Sequence, residues 1–344
     1  MRAATVTSQG SPVHANVRFV PDWPEPTAAP GEAIIRTEAS ALNHLDLWVG
    51  RGLPGVDLTY PRIGGSDACG IVEAVGEGVD RAWIGRRVIM NAAVPQPQPS
   101  HPDAAPTLPD IIMIGEHTNG GHCERFAAPV AQLLDVGMEC DPVEAAAFGL
   151  TFLTAWRCLI TRAGLQAGRT VLITGIGGGV ATAGLAIARH LGCRVIVTSR
   201  HRWKLDKATQ LGADAGVPDT GEDWSRAVRS ATGKRGVDVV LDSIGAAVHL
   251  SCLKSLARGG TLVTPGCTTG AAPATDLARI FWNQLRLIGS TMGDMNEFAQ
   301  VTALFRAGHL RPTIDQVFDA AEASRAHERL EAGEQFGKIV LRWS

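Results

Sequence analysis

Residues 170–204 constrain this chain more than any other stretch. They open T-V-L-I-T-G-I-G-G-G-V-A-T-A-G, continue as a helix of small residues, and close R-V-I-V-T-S-R-H-R-W-K. A short apolar strand runs into Gly175, and Gly175, Gly178 and Ala181 lead into the helix. Glycine lets backbone N–H groups approach a pyrophosphate, and the partial positive charge of a helix N-terminus favours an anion. Gly177, Gly179 and Val180 complete the expected contact set of the turn. The second strand ends at Ser199, about 24 residues past the turn, where an acidic side chain would grip the ribose hydroxyls of NAD. Arg200, His201, Arg202 and Lys204 stand there instead, with no carboxylate before Asp206. Cations suit a 2′-phosphate, so the expected ligand is NADP(H). A tight strand–helix junction beside a solvated basic helix start would use the same residue types. Strand, helix and spacing together favour the dinucleotide.

At 344 residues the chain is long enough for two domains, each with a proper core. A net charge of −2 implies no basic face for nucleic acid or for a membrane surface. The first ten residues, M-R-A-A-T-V-T-S-Q-G, lack the apolar core of a signal peptide. The longest apolar stretch, Val143 to Ile160, contains Glu144 and Arg157, falls short of a membrane span and reads as a buried helix. Seven cysteines, odd in number and without a C-x-x-C pair, argue against a disulfide framework and for a reducing cytoplasm.

The first 126 residues alternate in short runs broken by Gly and Pro, as at Ala33–Thr37, Gly70–Val75 and Val88–Asn91. They predict a small β-rich domain. From about 145 to 290 helices alternate with apolar strands at 171–174, 195–198, 237–241, 261–264 and 285–290. That alternation predicts a doubly wound parallel sheet. A helix over 320–332 and a strand near 337–341 close the chain, and a proline-rich stretch from Pro95 to Pro109 reads as an exposed loop.

The chain resembles the medium-chain dehydrogenase/reductase superfamily over essentially its full length. The resemblance is nearest to its zinc-type alcohol dehydrogenase and quinone oxidoreductase-like members. It is carried by A-L-N-H-L-D-L-W (41–48), G-G-S-D-A-C-G-I-V-E-A-V-G (64–76) and G-L-T-F-L-T-A-W (149–156). The nucleotide turn, L-D-S-I-G (241–245), F-W-N-Q-L-R-L-I-G-S-T-M-G (281–293) and E-A-G-E-Q-F-G-K-I-V-L-R (331–342) add to it. The resemblance implies an α/β protein. A GroES-like catalytic domain (1–126 and 312–344) would surround a Rossmann NADP-binding domain (127–311), with the active site in the cleft. It also implies a homodimer formed through the strand near 285–292.

The family's zinc ligands do not carry over. Their positions fall on Asn43, on Ser66 with Asp67, and on Leu150, whereas catalytic zinc takes three N, S or carboxylate donors. The lobe that would bind a second, structural zinc spans about 92–114 and holds no cysteine. No metal is expected. The resemblance assigns Thr154 to the nicotinamide, and Ser243, Pro265 and Lys338 to the cofactor surroundings. Two uses suit Asn43: an N–H donor to a substrate oxygen, or a helix cap. Asp46 reads as structural, while His44 and Tyr60 are weaker pocket candidates. His122 falls where relatives carry an aromatic ring in the substrate pocket; an imidazole there is either a proton donor or packing. Asp219 falls where zinc-free NADPH relatives place a tyrosine against the adenine phosphate.

The leading expectation is a zinc-independent NADPH-dependent oxidoreductase that sends hydride to an activated C=C bond or a quinone. Without a Lewis acid, such acceptors remain accessible to positioning and a hydrogen-bond donor. A zinc-free carbonyl or imine reductase, or an alcohol dehydrogenase of a biosynthetic pathway, is the second reading. A non-catalytic NADPH-binding protein is the third.

Overall fold

The computed structural model describes residues 1–53, 55–96 and 110–343. The proline-rich segment from 97 to 109, and with it the loop expected there, lies outside the described residues.

The chain divides into two compact units. One holds Met1–Leu150, Asp294–Thr302 and Ile314–Ser344; the other holds Thr151–Gly293 and Ala303–Thr313. The boundary lies beyond the expected residue 126 because pairing continues past it. Strand Arg125–Pro129 adds to Glu32–Ala41, and Leu133–Asp135 adds to Arg87–Met90.

The first unit is the expected β-rich one. Its main sheet runs, in spatial order, Leu133–Asp135, Arg87–Met90, Ala68–Val75, Glu32–Ala41, Lys338–Arg342 and Ile314–Asp319. The C-terminal strand inserts antiparallel beside Glu32–Ala41, with Leu341 opposite Ser40. This register carries Lys338 and Trp343 to the N-terminal segments. Helix Ala323–Glu331 buries Ala323, Ala326, His327 and Leu330. That i, i+3, i+4, i+7 spacing puts one stripe on the core. The core there also includes Leu42, Leu47, Phe318, Ile339, Leu341 and Trp343.

The second unit is a six-stranded parallel sheet. Its spatial order is Ala215–Pro218, Arg194–Ser199, Thr170–Ile173, Val237–Leu241, Leu256–Thr264 and Arg286–Gly289. Val171, Leu172 and Ile173 are fully buried, as a strand covered on both faces must be. Each buried aliphatic side chain stabilises by roughly 1.5–3 kcal/mol. The strand at Ala215–Pro218 escapes the sequence reading because Gly216 and Pro218 interrupt its apolar run.

Helix Pro142–Trp156 continues into a π turn over Arg157–Arg162. The 21 residues are long and apolar enough to cross a membrane, but 78% of their most apolar window is buried. It is a core helix, as its sequence predicts.

Candidate active site

In the second unit the glycine turn takes the shape its sequence demands. Gly175 (φ 62°) and Gly177 (φ 118°) both sit in backbone conformations that L side chains avoid. Gly178 is the N-cap of helix Gly179–His190. Ile176 donates its N–H to Thr198 O (2.8 Å), which fixes the turn against the next strand. A Cβ on Gly177 would lie 2.8 Å from the Lys204 side chain, so the lysine stem rests directly on the turn. Gly184 lets helix and sheet approach: a Cβ there would lie 2.7 Å from Leu241.

The basic cluster does not act as one patch. Lys204 is buried against the turn, whereas Arg200 is exposed. Arg202 lies outside too and pairs with Asp206 one helical turn on (3.0 Å). Ser199 is buried and accepts the His201 N–H on Oγ (3.1 Å). Asp219 stands at the end of the neighbouring strand; its N–H reaches Ser199 O (2.9 Å) and its carboxylate holds the Gly221 N–H (3.1 Å). The ammonium groups of Lys204 and Lys207 each lie 5.3 Å from the Trp203 ring.

Asp242 anchors the base of this turn. It accepts Thr174 Oγ1–H (2.6 Å) and the N–H groups of Ile244 and Gly245 (3.0 and 3.2 Å). Burial raises its pKa, against those hydrogen bonds. Ser243 holds the Thr268 N–H on its carbonyl (3.2 Å), and Pro265 is partly exposed at the end of strand Leu256–Thr264. Thr154 Oγ1 is buried and has no hydrogen-bond partner among the described residues. It does not make the helix-backbone bond that a purely structural threonine would make. These residues fit a dinucleotide: a glycine cradle, a lysine laid on it, and an orphaned hydroxyl.

In the first unit, two of the mapped zinc-ligand positions, Asn43 and Asp67, meet around one ammonium. Lys338 Nζ, 3% exposed, donates to Asn43 Oδ1 (2.5 Å) and Asp67 Oδ2 (2.9 Å). Asn43 Nδ2 donates to the same Asp67 oxygen (2.9 Å), and the Leu150 N–H reaches Asp67 Oδ1 (2.7 Å). Gly149 makes that approach feasible, since a Cβ there would meet Asp67 Oδ1 at 2.5 Å. Ser66 turns away and donates to Ile114 O (2.7 Å). Of the two expected uses of Asn43, its place before helix His44–Arg51 is that of a cap, but its amide serves the ion pair. Lys338, expected beside the cofactor, has its ammonium engaged within this cluster.

Of the two readings of His122, packing agrees with its burial: it is 1% exposed, with Nδ1 2.9 Å from Ser40 Oγ and Nε2 3.5 Å from Asp46 Oδ1. The last distance is a charge contact rather than a good hydrogen bond. Asp46 accepts the N–H groups of Asn43 (2.8 Å) and Gly65 (2.9 Å). Burial pushes its pKa up, but His122, His327 and the Asn43 N–H outweigh that and bring it down to about 2. His44 is exposed and packs edge-on to Trp48; Tyr60 is partly buried, and its hydroxyl donates to Val49 O. Sequence reasoning missed Ser40, Trp343 and His327. The close-packed Gly64–Gly65 and Gly120–Gly121 pairs were the available signal, for a Cβ on Gly65 would stand 2.7 Å from the His122 ring.

Comparison with known proteins places the chain. Residues 29–137 match the alcohol dehydrogenase GroES-like domain, and residues 179–307 match the zinc-binding dehydrogenase domain. The chain belongs to the medium-chain dehydrogenase/reductase superfamily and is an oxidoreductase of that family. The crystal structure of an NAD-dependent alcohol dehydrogenase is 34% identical and covers all of both chains, with a TM-score of 0.91. A mycobacterial protein complexed with NADPH is 29% identical over the whole of both chains, with a TM-score of 0.83. Quinone oxidoreductase of Homo sapiens is 26% identical, over 99% of this chain and 97% of its own length.

Proposed function

We propose that this protein is a zinc-independent, NADPH-dependent reductase of an activated C=C bond or a quinone. The observation that carries the reading is the Lys338 ammonium bound to Asn43 and Asp67. Those residues do not fit a zinc ion. Their oxygens already hold a buried cation, Ser66 is bonded elsewhere, and Leu150 offers only a backbone N–H.

NADPH, when bound, supplies the hydride. The chain's residues then have separable tasks. Gly175 to Val180 give the pyrophosphate backbone N–H groups and a helix N-terminus. Lys204, with Arg200 and Arg202 nearby in sequence, supplies positive charge for the 2′-phosphate. Thr154 Oγ1 orients the nicotinamide through its unmatched hydroxyl. Ser243 and Pro265 flank the riboses. The Lys338 ammonium and the Asp67 carboxylate offset each other, so the cluster stands as a closed ion pair in the place of a metal. An enone or a quinone is already electrophilic and accepts hydride without a Lewis acid. The free state of all seven cysteines fits a reducing cytoplasm.

Steady-state assays with a quinone, an enone and a ketone, each with NADPH and NADH, test the proposal. Preference for NADPH with turnover of the first two acceptors is expected. Metal analysis of the same preparation is expected to find no stoichiometric zinc. Preference for NADH would refute the basic-cluster argument and point to the Asp219 carboxylate as the dominant charge. Turnover of the ketone alone would favour carbonyl reduction, the second reading.

A further inference from the structure

We infer that Trp343 and Ser40 fix the tautomer of His122, and that His122 thereby acts as a positioning residue for Asp46 and Asn43 rather than as a proton donor. This rests on the proposed reaction only for its kinetic consequence; the tautomer stands on geometry alone. Trp343 Nε1 lies 2.9 Å from Ser40 Oγ, and an indole nitrogen can only donate. Ser40 is fully buried, so its hydroxyl hydrogen needs a partner, and His122 Nδ1 lies 2.9 Å away. The hydroxyl therefore donates to Nδ1, and the ring carries its hydrogen on Nε2. That hydrogen faces Asp46 Oδ1 at 3.5 Å. In this arrangement the indole and hydroxyl hydrogens are both accepted, and the Nε2–H, which has no hydrogen-bond partner among the described residues, is left in a long electrostatic contact with the carboxylate. With a hydrogen on Nδ1, Ser40 Oγ would accept twice while its own hydrogen lost this acceptor.

The chain of contacts ends at the candidate site. Asp46 holds the N–H groups of Asn43 and Gly65, one residue on each side of the ammonium cluster's anchoring loops. Gly64 and Gly65 leave room for the ring and the carboxylate: a Cβ on Gly64 would meet Asp46 Oδ1 at 2.9 Å. His327 stands edge-on to His122 at 6.1 Å between ring centroids, and its own Nδ1 lies 2.8 Å from Ala323 O, which it serves as a donor. It packs against the His122 ring while its own Nδ1 hydrogen is taken by Ala323. Thus a residue next to the C-terminus sets the hydrogen bonding of a residue that orients Asn43.

The test combines spectroscopy with kinetics. In protein labelled with 15N-histidine, the His122 resonances, assigned with His122→Gln, are expected to show a neutral ring protonated on Nε2 at neutral pH. Ser40→Ala should move the Nδ1 resonance and mix the tautomers; Trp343→Phe should do so more weakly. With 15N-asparagine label, the Asn43 side-chain amide should shift in Ser40→Ala, reporting its position without any turnover. In the acceptor assay, His122→Phe should lower kcat roughly 10- to 100-fold with KM for NADPH unchanged. His122→Gln, which keeps a donor toward Asp46, should recover most of that loss. A wild-type ring protonated on Nδ1 or on both nitrogens overturns the inference. So does an Asn43 amide indifferent to Ser40→Ala, or a His122→Gln variant as poor as His122→Phe. Failure to reduce any acceptor would strike the proposed function alone, since both resonance measurements stand without it.

Discussion

At the residue scale the decisive groups are buried charges. Lys338 and Asp67 are 3% and 1% exposed, so each depends on the other for its solvation. Removing one partner of such a pair costs roughly 3–5 kcal/mol, because the survivor is left charged in a poor dielectric. Lys338→Met should lower stability by that amount in urea melts. Adding Asp67→Asn to it should restore part of the loss. Asp46 gives a pH prediction. Its folded pKa of about 2 lies below the ordinary 3.8, so its stabilisation is present above about pH 4 and is lost as pH falls toward 2. Stability should fall by about 2 kcal/mol across that window, and Asp46→Asn should flatten this part of the profile. A wild-type urea midpoint unchanged from pH 5 to pH 2.5 would count against the ionised carboxylate. The family resemblance singled out Asn43 and His122, while Asp46 read as structural. It did not show their partners, because Lys338 and Trp343 come to them through the pairing of strand Lys338–Arg342 with Glu32–Ala41.

At the element scale, the strand–turn–helix was legible because its chemistry is local. Positive φ at Gly175 and Gly177, and an N-cap at Gly178, are settled within a few residues of sequence. Gly177→Ala should be damaging in two ways: the φ of 118° strains any Cβ, and that Cβ would meet Lys204 at 2.8 Å. An NADPH affinity at least about tenfold weaker, with far-ultraviolet circular dichroism unchanged, is the expected outcome. The direction of Lys204 was not legible. Arg200, Arg202 and Lys204 look equivalent in sequence, yet Arg200 is exposed ahead of helix Arg202–Gln210, Arg202 is exposed at its start, and Lys204 is laid on the turn. Lys204→Ala should therefore raise KM for NADPH more than Arg202→Ala, whose guanidinium is 78% exposed and already paired. Equal effects would argue for a diffuse basic field instead.

At the scale of the whole molecule, one surface asks for a partner. Leu277, Phe281 and Trp282 are 69–71% exposed on helix Leu277–Asn283, beside strand Arg286–Gly289 at the end of the parallel sheet. An apolar face next to an open sheet edge favours association with a second copy. A homodimer is thus the expected state, as the family resemblance implies. Phe281→Glu with Trp282→Glu should shift it toward monomer in light scattering. A wild-type monomer at micromolar concentration would remove this expectation.

Two kinds of information are separable in this chain. Periodicity, glycine placement and turn chemistry act over a few residues, and they alone determined the parallel sheet, the nucleotide turn and the β-rich unit. Which side chains meet was decided by tertiary pairing. Lys338 and Trp343 lie about 300 positions from Asn43 and Ser40, so no local rule could have brought them together. The same long-range closure brings Trp343 to Ser40, the partner of the buried His122. A side chain's chemistry follows from its type, but its partners follow from the strand register that only the folded sheet fixes.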